Sequence, residues 1–191
     1  MALMTYAPPP PMQPMPPMQA PSPAWDAATI AVGVVTIVAP LLGVALKLPT
    51  GGWLMVILLL SGLLWAGGYI VLVLAVSLGM LRRRGPLRAG GARIRSMIWA
   101  LMTSIGVIVL GFTLVDGGDT RESIQSTLTL LLGSPESPSP AHSVSEAIGW
   151  VAAGAWAIGY LGLVVEWIAA TARARQARQP IAPQVAPPRV G

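Results

Sequence analysis

The chain has 191 residues, of which 54% are apolar and only 10% are charged, and its formal net charge is +5. Soluble domains carry roughly 25% charged residues, so this composition excludes an ordinary soluble domain. The charges stand in a few short blocks between long uncharged stretches, which is typical of a membrane protein with several helical spans. Cysteine is absent, which excludes disulfides, a thiol nucleophile and cysteine-bound iron–sulfur clusters.

The chain begins with a proline-rich segment, residues 1–24, which has no Lys or Arg and contains the repeat PPMQ. Such a segment favours extended polyproline II structure and cannot pack a core. We expect a disordered tail, and the alternative is a docking strip for an aromatic-lined groove, because PxxP spacing occurs twice. Residues 173–191 are basic and proline-rich, and they predict a second disordered tail.

Four apolar runs occupy the intervening domain, residues 25–172. They predict membrane spans at about residues 27–46, 53–81, 98–115 and 147–170, with a loop at 116–146 on the outer side. A 20-residue helix is about 30 Å long, enough to cross the hydrocarbon core of a bilayer. The predicted fold is therefore an all-α membrane protein, a four-span transmembrane helical bundle with disordered tails.

Basic residues indicate how these spans are oriented. Six Arg follow span two, four lie in the C-terminal segment, and the opposite side holds only Lys47 and Arg121 against five acids. Because cytoplasmic loops are enriched in Lys and Arg, both termini are predicted to lie in the cytoplasm. The same positions explain the positive charge without nucleic-acid binding. Eleven of the 12 basic residues are Arg and Asn is absent, a bias that indicates the genome of a high-GC bacterium or of its phage, and hence the bacterial inner membrane.

The motif W-A-x-G-Y occurs twice, as WAGGY at residues 65–69 and as WAIGY at residues 156–160. A duplicated helical hairpin explains the match, and a coincidence of biased composition is the alternative. Helical spacing places Trp65 and Tyr69 on one face, and likewise Trp156 and Tyr160. These four residues either line a pocket for a quinone, lipid or hydrophobic drug, or fill the bundle centre by packing.

Small residues flank both copies of this motif at a spacing of four: Gly62 and Ala66 in span two, Ala153 and Ala157 in span four. Small residues let two membrane helices approach closely, so these positions permit close approach of a neighbouring helix.

Residues with catalytic chemistry are scarce. The one histidine, His142, falls in the predicted outer loop, where we expect a flexible segment, and no span holds a histidine for haem. The motifs HExxH, Walker A and GxSxG are absent, so no catalytic residue, metal site or cofactor is predicted. Glu166 is the one acid inside an apolar run. It either pairs with an arginine at the same depth, in Arg82–Arg84 or at Arg93 and Arg95, or takes part in proton or cation movement.

These features predict a non-enzymatic membrane protein, an accessory or interaction subunit of a bacterial inner-membrane assembly. Its expected partners are membrane lipid and either another membrane protein or a second copy of itself. The alternative is a small transporter or a pore-forming protein, including a phage-type one, in which Glu166 would be functional.

Overall fold

The computed structural model describes residues 23–88, 90–118, 124–133 and 138–177, and most of the proline-rich segment and most of the C-terminal tail lie outside them. Within the described ranges the chain forms six α-helices and no β-strand. Four helical segments, Ala27–Thr50, Gly62–Leu81, Gly90–Thr113 and Pro140–Gln176, are long and apolar enough to cross a membrane. The helices are α1 (Pro23–Lys47), α2 (Trp53–Leu60), α3 (Gly62–Val76), α4 (Gly90–Thr113), α5 (Thr127–Leu131) and α6 (Pro140–Gln176).

The observed helices extend beyond the apolar runs that predicted them. Helix α4 begins at Gly90 rather than at residue 98, and α6 runs from Pro140 to Gln176 rather than from 147 to 170. Residues 140–146 of the predicted outer loop and 173–176 of the predicted C-terminal tail are therefore helical. Apolar residues mark only the part of a helix suited to hydrocarbon, whereas backbone hydrogen bonds continue into polar flanks. Ser139 has extended backbone angles and Pro140 follows it, which is a favoured helix start.

The second apolar run, predicted as one span at 53–81, is three consecutive helical pieces. Ser61 separates α2 from α3 with φ −88° and ψ 15°, and its hydroxyl donates to the carbonyl of Ile57 at 2.6 Å. Residues 77–81 form a π-helical turn, after which the backbone becomes extended at Arg82. Wider π turns and hydroxyl-to-carbonyl bonds are known causes of bends in long helices.

Helix α4 is the centre of the bundle and packs along its length against α1 and α6. Glycines permit this packing. A methyl group added at Gly111 would collide with the carbonyl of Gly43 on α1, and one at Gly106 would lie 2.6 Å from the backbone nitrogen of Trp156 on α6. Small residues allow helix backbones to approach this closely.

At Gly62, one of the small residues that permit close helix approach, no neighbouring helix of the described chain is in contact. Nothing lies within 4 Å of the methyl group that would be added at Gly62. The short approaches involve α4 instead, and α3 touches α6 mainly through side chains, because two tryptophan rings stand between them.

Two ends of the bundle differ in charge. The arginine end comprises Arg82–Arg84, Arg88, Arg93 and Arg95, which follow α3 or begin α4, together with Arg173 and Arg175 in the last turns of α6. The Lys47 end comprises the C-terminus of α1, the residues after α4, helix α5 and the start of α6.

Substitution of Gly106 by Ala tests the packing around α4, with Gly154→Ala on α6 as the matched control. Both changes gain roughly 1 kcal/mol of helix propensity. A methyl group at Gly106 meets the backbone of α6, which cannot rotate away, whereas nothing lies within 4 Å at Gly154. We expect Gly106→Ala to lower the melting temperature in mild detergent and Gly154→Ala to leave it equal or higher. Equal effects would contradict the packing described.

Candidate functional site

The two copies of the W-A-x-G-Y motif meet in the folded chain. The rings of Trp65 on α3 and Trp156 on α6 stack with centroids 5.6 Å apart and an angle of 26° between their planes. This distance lies in the range preferred by aromatic pairs. The sequence-predicted cluster therefore exists as a contact between the helices that carry it.

Hydrogen bonds occupy the side-chain polar atoms of three of the four residues of the cluster. The Tyr69 hydroxyl donates to the carbonyl of Ile37 on α1 at 3.0 Å, and the Tyr160 hydroxyl donates to the carbonyl of Gly68 on α3 at 3.1 Å. The Trp65 indole N–H donates to the Ser61 hydroxyl at 3.0 Å. A ligand pocket presents polar groups to its ligand. Here the polar groups of Trp65, Tyr69 and Tyr160 bond to the chain itself, which favours packing as the role of the cluster.

Glu166 lies between two arginines at the arginine end. Arg95 donates from Nε to Oε2 at 3.1 Å and from Nη2 to Oε1 at 2.9 Å, a two-bond arrangement. Nη2 of Arg173 also donates to Oε1, at 3.1 Å. Of the partners considered from the sequence, Arg95 is the one in contact. With three charge-assisted hydrogen bonds, the carboxylate has the geometry of a structural ion pair.

A second charged site, which the sequence did not predict, lies at the Lys47 end. Lys47 is 6% exposed and Asp116 is fully buried. The Nζ atom of Lys47 lies 3.8 Å from Oδ2 of Asp116. Nζ also donates to the Thr50 hydroxyl at 3.0 Å and to the carbonyl of Leu114 at 2.9 Å. Burial of an unpaired charge costs several kcal/mol, so the pair and its hydrogen bonds compensate each other's desolvation.

The Asp116 carboxylate also holds the start of α2. Oδ2 accepts the amide N–H of Gly52 at 2.8 Å, and Oδ1 accepts that of Leu54 at 2.9 Å. The first amides of a helix lack partners within the helix, and a carboxylate there is favoured by both hydrogen bonding and the helix dipole. The amide of Asp116 donates to the carbonyl of Gln125 at 2.9 Å. One side chain thus connects α1, α2 and the segments that follow α4.

His142 is buried in the first turns of α6, so the expectation of a flexible loop there is wrong. Its Nδ1 lies 2.7 Å from the Ser139 hydroxyl and its Nε2 lies 2.7 Å from the carbonyl of Ile124. Since a carbonyl only accepts, Nε2 carries a hydrogen. Both ring nitrogens are therefore engaged, and the ring fastens residue 124 to α6.

Residues 124–129 form a cap over the Lys47 end. The hydroxyls of Ser126 and Ser145 lie 2.8 Å apart, and that of Ser145 donates to the carbonyl of Thr113 at 2.7 Å. Thr127 donates to the carbonyl of Leu46 at 2.5 Å. These hydroxyls donate to carbonyls in the last turns of α1 and α4. The last carbonyls of a helix have no hydrogen-bond partner within the helix.

Across the described residues, no group of three or more His, Asp or Glu side chains converges as metal ligands. The Lys47 and Glu166 sites each have their charge bound by a neighbouring side chain. Comparison of the chain with protein families, with curated proteins and with solved structures gives no match.

Removal of one partner of the Lys47–Asp116 pair should destabilise the fold. Lys47→Met leaves a buried carboxylate without its counter-charge, for which we expect a loss of about 3–5 kcal/mol. The double substitution Lys47→Met/Asp116→Asn should cost less than the sum of the single changes, because the pair is coupled. Thermal unfolding in mild detergent provides the measurement.

Glu146→Gln is the control for this prediction, because Glu146 is an exposed acid near the start of α6. We expect its melting temperature to match that of the parent protein. If Lys47→Met behaved like this control, the buried pair would not contribute to stability.

Proposed function

We propose that the chain is a multi-span protein of a bacterial cytoplasmic membrane, with both termini in the cytoplasm, and that it acts without catalysis as an accessory or interaction subunit. Its partner is another membrane protein or a second copy of the chain. The opposite charges of the bundle ends support the orientation, because the arginine end is the end that the positive-inside rule assigns to the cytoplasm.

The observation that carries the proposed interaction is the uncovered part of α2 and α3. None of the residues of α2 is buried, and Leu60 at its end and Leu63 at the start of α3 are 83% and 93% exposed. Helix α2 is attached through its first turn at Asp116, and α3 rejoins the bundle through Trp65 and the residues after it. The stretch between these attachments, residues 55–64, presents leucines and Gly62 to the surroundings.

Lipid alone can cover leucines, but exposed glycine on a membrane helix favours a helix neighbour. A Cβ at Gly62 or at Gly67 would meet no atom of this chain within 4 Å. On α4, Gly106 and Gly111 are in contact with a neighbouring helix, whereas Gly154 on α6 is open like Gly62 and Gly67. The pattern supports a partner helix against α2 and α3.

The charged groups support an interaction subunit over a transporter or pore. Glu166, on which the transporter hypothesis depended, accepts bonds from Arg95 and Arg173 at the arginine end. Transporters commonly hold several polar groups together near the middle of the membrane. Under this proposal Glu166 is an ion-pair partner with no part in transport. Glu166→Gln should therefore leave ion flux across the membrane of proteoliposomes containing the protein unchanged.

The proposal also includes the duplication of a helical hairpin within the chain. Helices α1 with α2–α3 and α4 with α6 are the two copies, supported by the matched motifs and by the equal distance from each motif to Arg82 and to Arg173. The copies have diverged in packing, since Tyr69 bonds to α1 but Tyr160 bonds to α3.

Photo-crosslinking tests the uncovered stretch. We expect a photoreactive amino acid at Leu63 to give one discrete protein adduct in native membranes, either with a partner or with a second copy. The matched control is Ile105 on α4, which is 60% exposed and lies away from α2 and α3. The interaction hypothesis fails if Leu63 gives only the lipid adducts expected at Ile105.

Single-cysteine labelling tests the orientation, since the chain has no native cysteine. Ser143→Cys and Ala177→Cys place an exposed thiol near opposite ends of α6. A membrane-impermeant maleimide should label Ser143→Cys in intact spheroplasts and Ala177→Cys only after lysis. The reverse pattern would overturn the proposed topology.

A further inference from the structure

Two arginines at the arginine end share one carboxylate oxygen and form a fixed cationic pair. Nη2 of Arg95 and Nη2 of Arg173 lie 2.9 and 3.1 Å from Oε1 of Glu166. Arg173 is further held by a bond from Nε to the carbonyl of Ala169 at 3.3 Å. The two guanidinium groups come from different helices, α4 and α6, and are neighbours because Glu166 binds both.

The pair retains positive charge and hydrogen-bond donors. Two guanidinium charges face one carboxylate, which leaves one net positive charge. The side chain of Glu166 is 14% exposed, whereas those of Arg95 and Arg173 are 51% and 58% exposed. Their bonds within the described chain use Nε and Nη2, so Nη1 of both groups remains for another acceptor.

An apolar surface continues from the pair along the same two helices. Ile98 and Ile105 follow Arg95 on one face of α4, and Ile158 precedes Glu166 by two turns on α6. All three are exposed hydrophobic side chains. Between the helices Trp99 lies against Gly162, where an added methyl group would meet the indole ring at 2.5 Å. The surface therefore has a cationic head and an apolar strip.

We propose that the Arg95–Arg173 pair binds the phosphate group of an anionic phospholipid whose acyl chains lie along the apolar strip between α4 and α6. Arginine suits this ligand because its planar fork of donors matches phosphate oxygens. Basic sites between membrane helices at the cytoplasmic side are suited to anionic headgroups. The site rests on the proposed membrane location and orientation, and it adds a defined ligand to that proposal.

Glu166 is a positioning residue in this site. It has no contact with the phosphate, but it brings two like charges together that would otherwise repel each other, and it fixes both guanidinium planes. A carboxylate also limits the net charge of the site to one, which complements a headgroup with a single negative charge. This role explains an acid within an apolar run without any movement of ions.

The experiment measures bound lipid by native mass spectrometry, and thermal stability alongside it, with phosphatidylglycerol or phosphatidylcholine added to the detergent-solubilised full chain. Phosphatidylglycerol should bind at about one molecule per chain and raise the melting temperature, and phosphatidylcholine should do neither. Inorganic phosphate should not compete at equal concentration, because it lacks acyl chains. Competition by inorganic phosphate would assign the site to a free anion and overturn the lipid proposal.

Three variants locate the site. Arg173→Gln and Arg83→Gln remove the same charge from exposed side chains, but only the first lies in the pair. We expect Arg173→Gln to weaken phosphatidylglycerol binding about tenfold, as for loss of a hydrogen bond to a charged group, and Arg83→Gln to leave it unchanged. Arg95→Gln/Glu166→Gln keeps the net charge of the chain and leaves no carboxylate unpaired, yet it should also lose the lipid.

Equal losses of phosphatidylglycerol binding in Arg173→Gln and Arg83→Gln, or full binding in the double variant, would contradict the proposed site. Either result would mean that lipid binding does not depend on the Arg95–Arg173 pair. Should the double variant fail to fold, Arg173→Gln still decides, because the two bonds between Arg95 and Glu166 remain in it. The crosslinking at Leu63 probes another face, so failure here is distinguishable from failure of the proposed interaction function.

Discussion

The buried ion pair of Lys47 and Asp116 is the contact on which the remaining structure depends. It joins the last residue of α1 to the segment after α4, and the same carboxylate supplies the two acceptors at the start of α2. Neither charge is stable alone in such a buried position, because desolvation outweighs any single hydrogen bond. The pair therefore requires all three segments to be in place together, and it couples their positions.

This coupling explains how α2 and α3 are attached. Helices α1, α4 and α6 pack closely through glycines of α4, and this three-helix core leaves no equivalent glycine contact at Gly62. The second apolar run is held at its start by Asp116 and farther along by the Trp65–Trp156 stack and the Tyr160 hydroxyl. An uncovered stretch between two firm attachments is the result, and the proposed partner would contact that stretch.

Both charged sites consist of ion pairs supported by hydrogen bonds, but they differ in burial and therefore suit different roles. At the Lys47 end the charges of Lys47 and Asp116 are buried and bonded to neighbouring groups, and the cap at residues 124–129 lies over them. At the arginine end Glu166 is bound as firmly, but its two partners are half exposed and retain donors. The first arrangement suits a structural role, and the second suits recognition of an anionic group.

Sequence alone predicted the long apolar helices, because the length and composition of an apolar run are local properties. The repeated motif also led to Trp65 and Trp156, although a repeat does not say that its two copies will touch. The burial of His142 could not be predicted, since it depends on a hydrogen bond with the distant carbonyl of Ile124. The bonds at Ser61 and at the start of α6 are local, but the apolar runs used to predict the spans do not mark them. The Lys47–Asp116 pair left one signal in the sequence: the only lysine of the chain and an aspartate each follow an apolar run at the same end.

Amide hydrogen exchange at Gly52 and Leu54 tests the central role of Asp116 most directly. Both amides donate to its carboxylate, so in the detergent-solubilised protein they should exchange far more slowly than unstructured amides, and Asp116→Ala should remove that protection. Protection that persists in Asp116→Ala, or exchange at unstructured rates in the parent protein, would contradict the account.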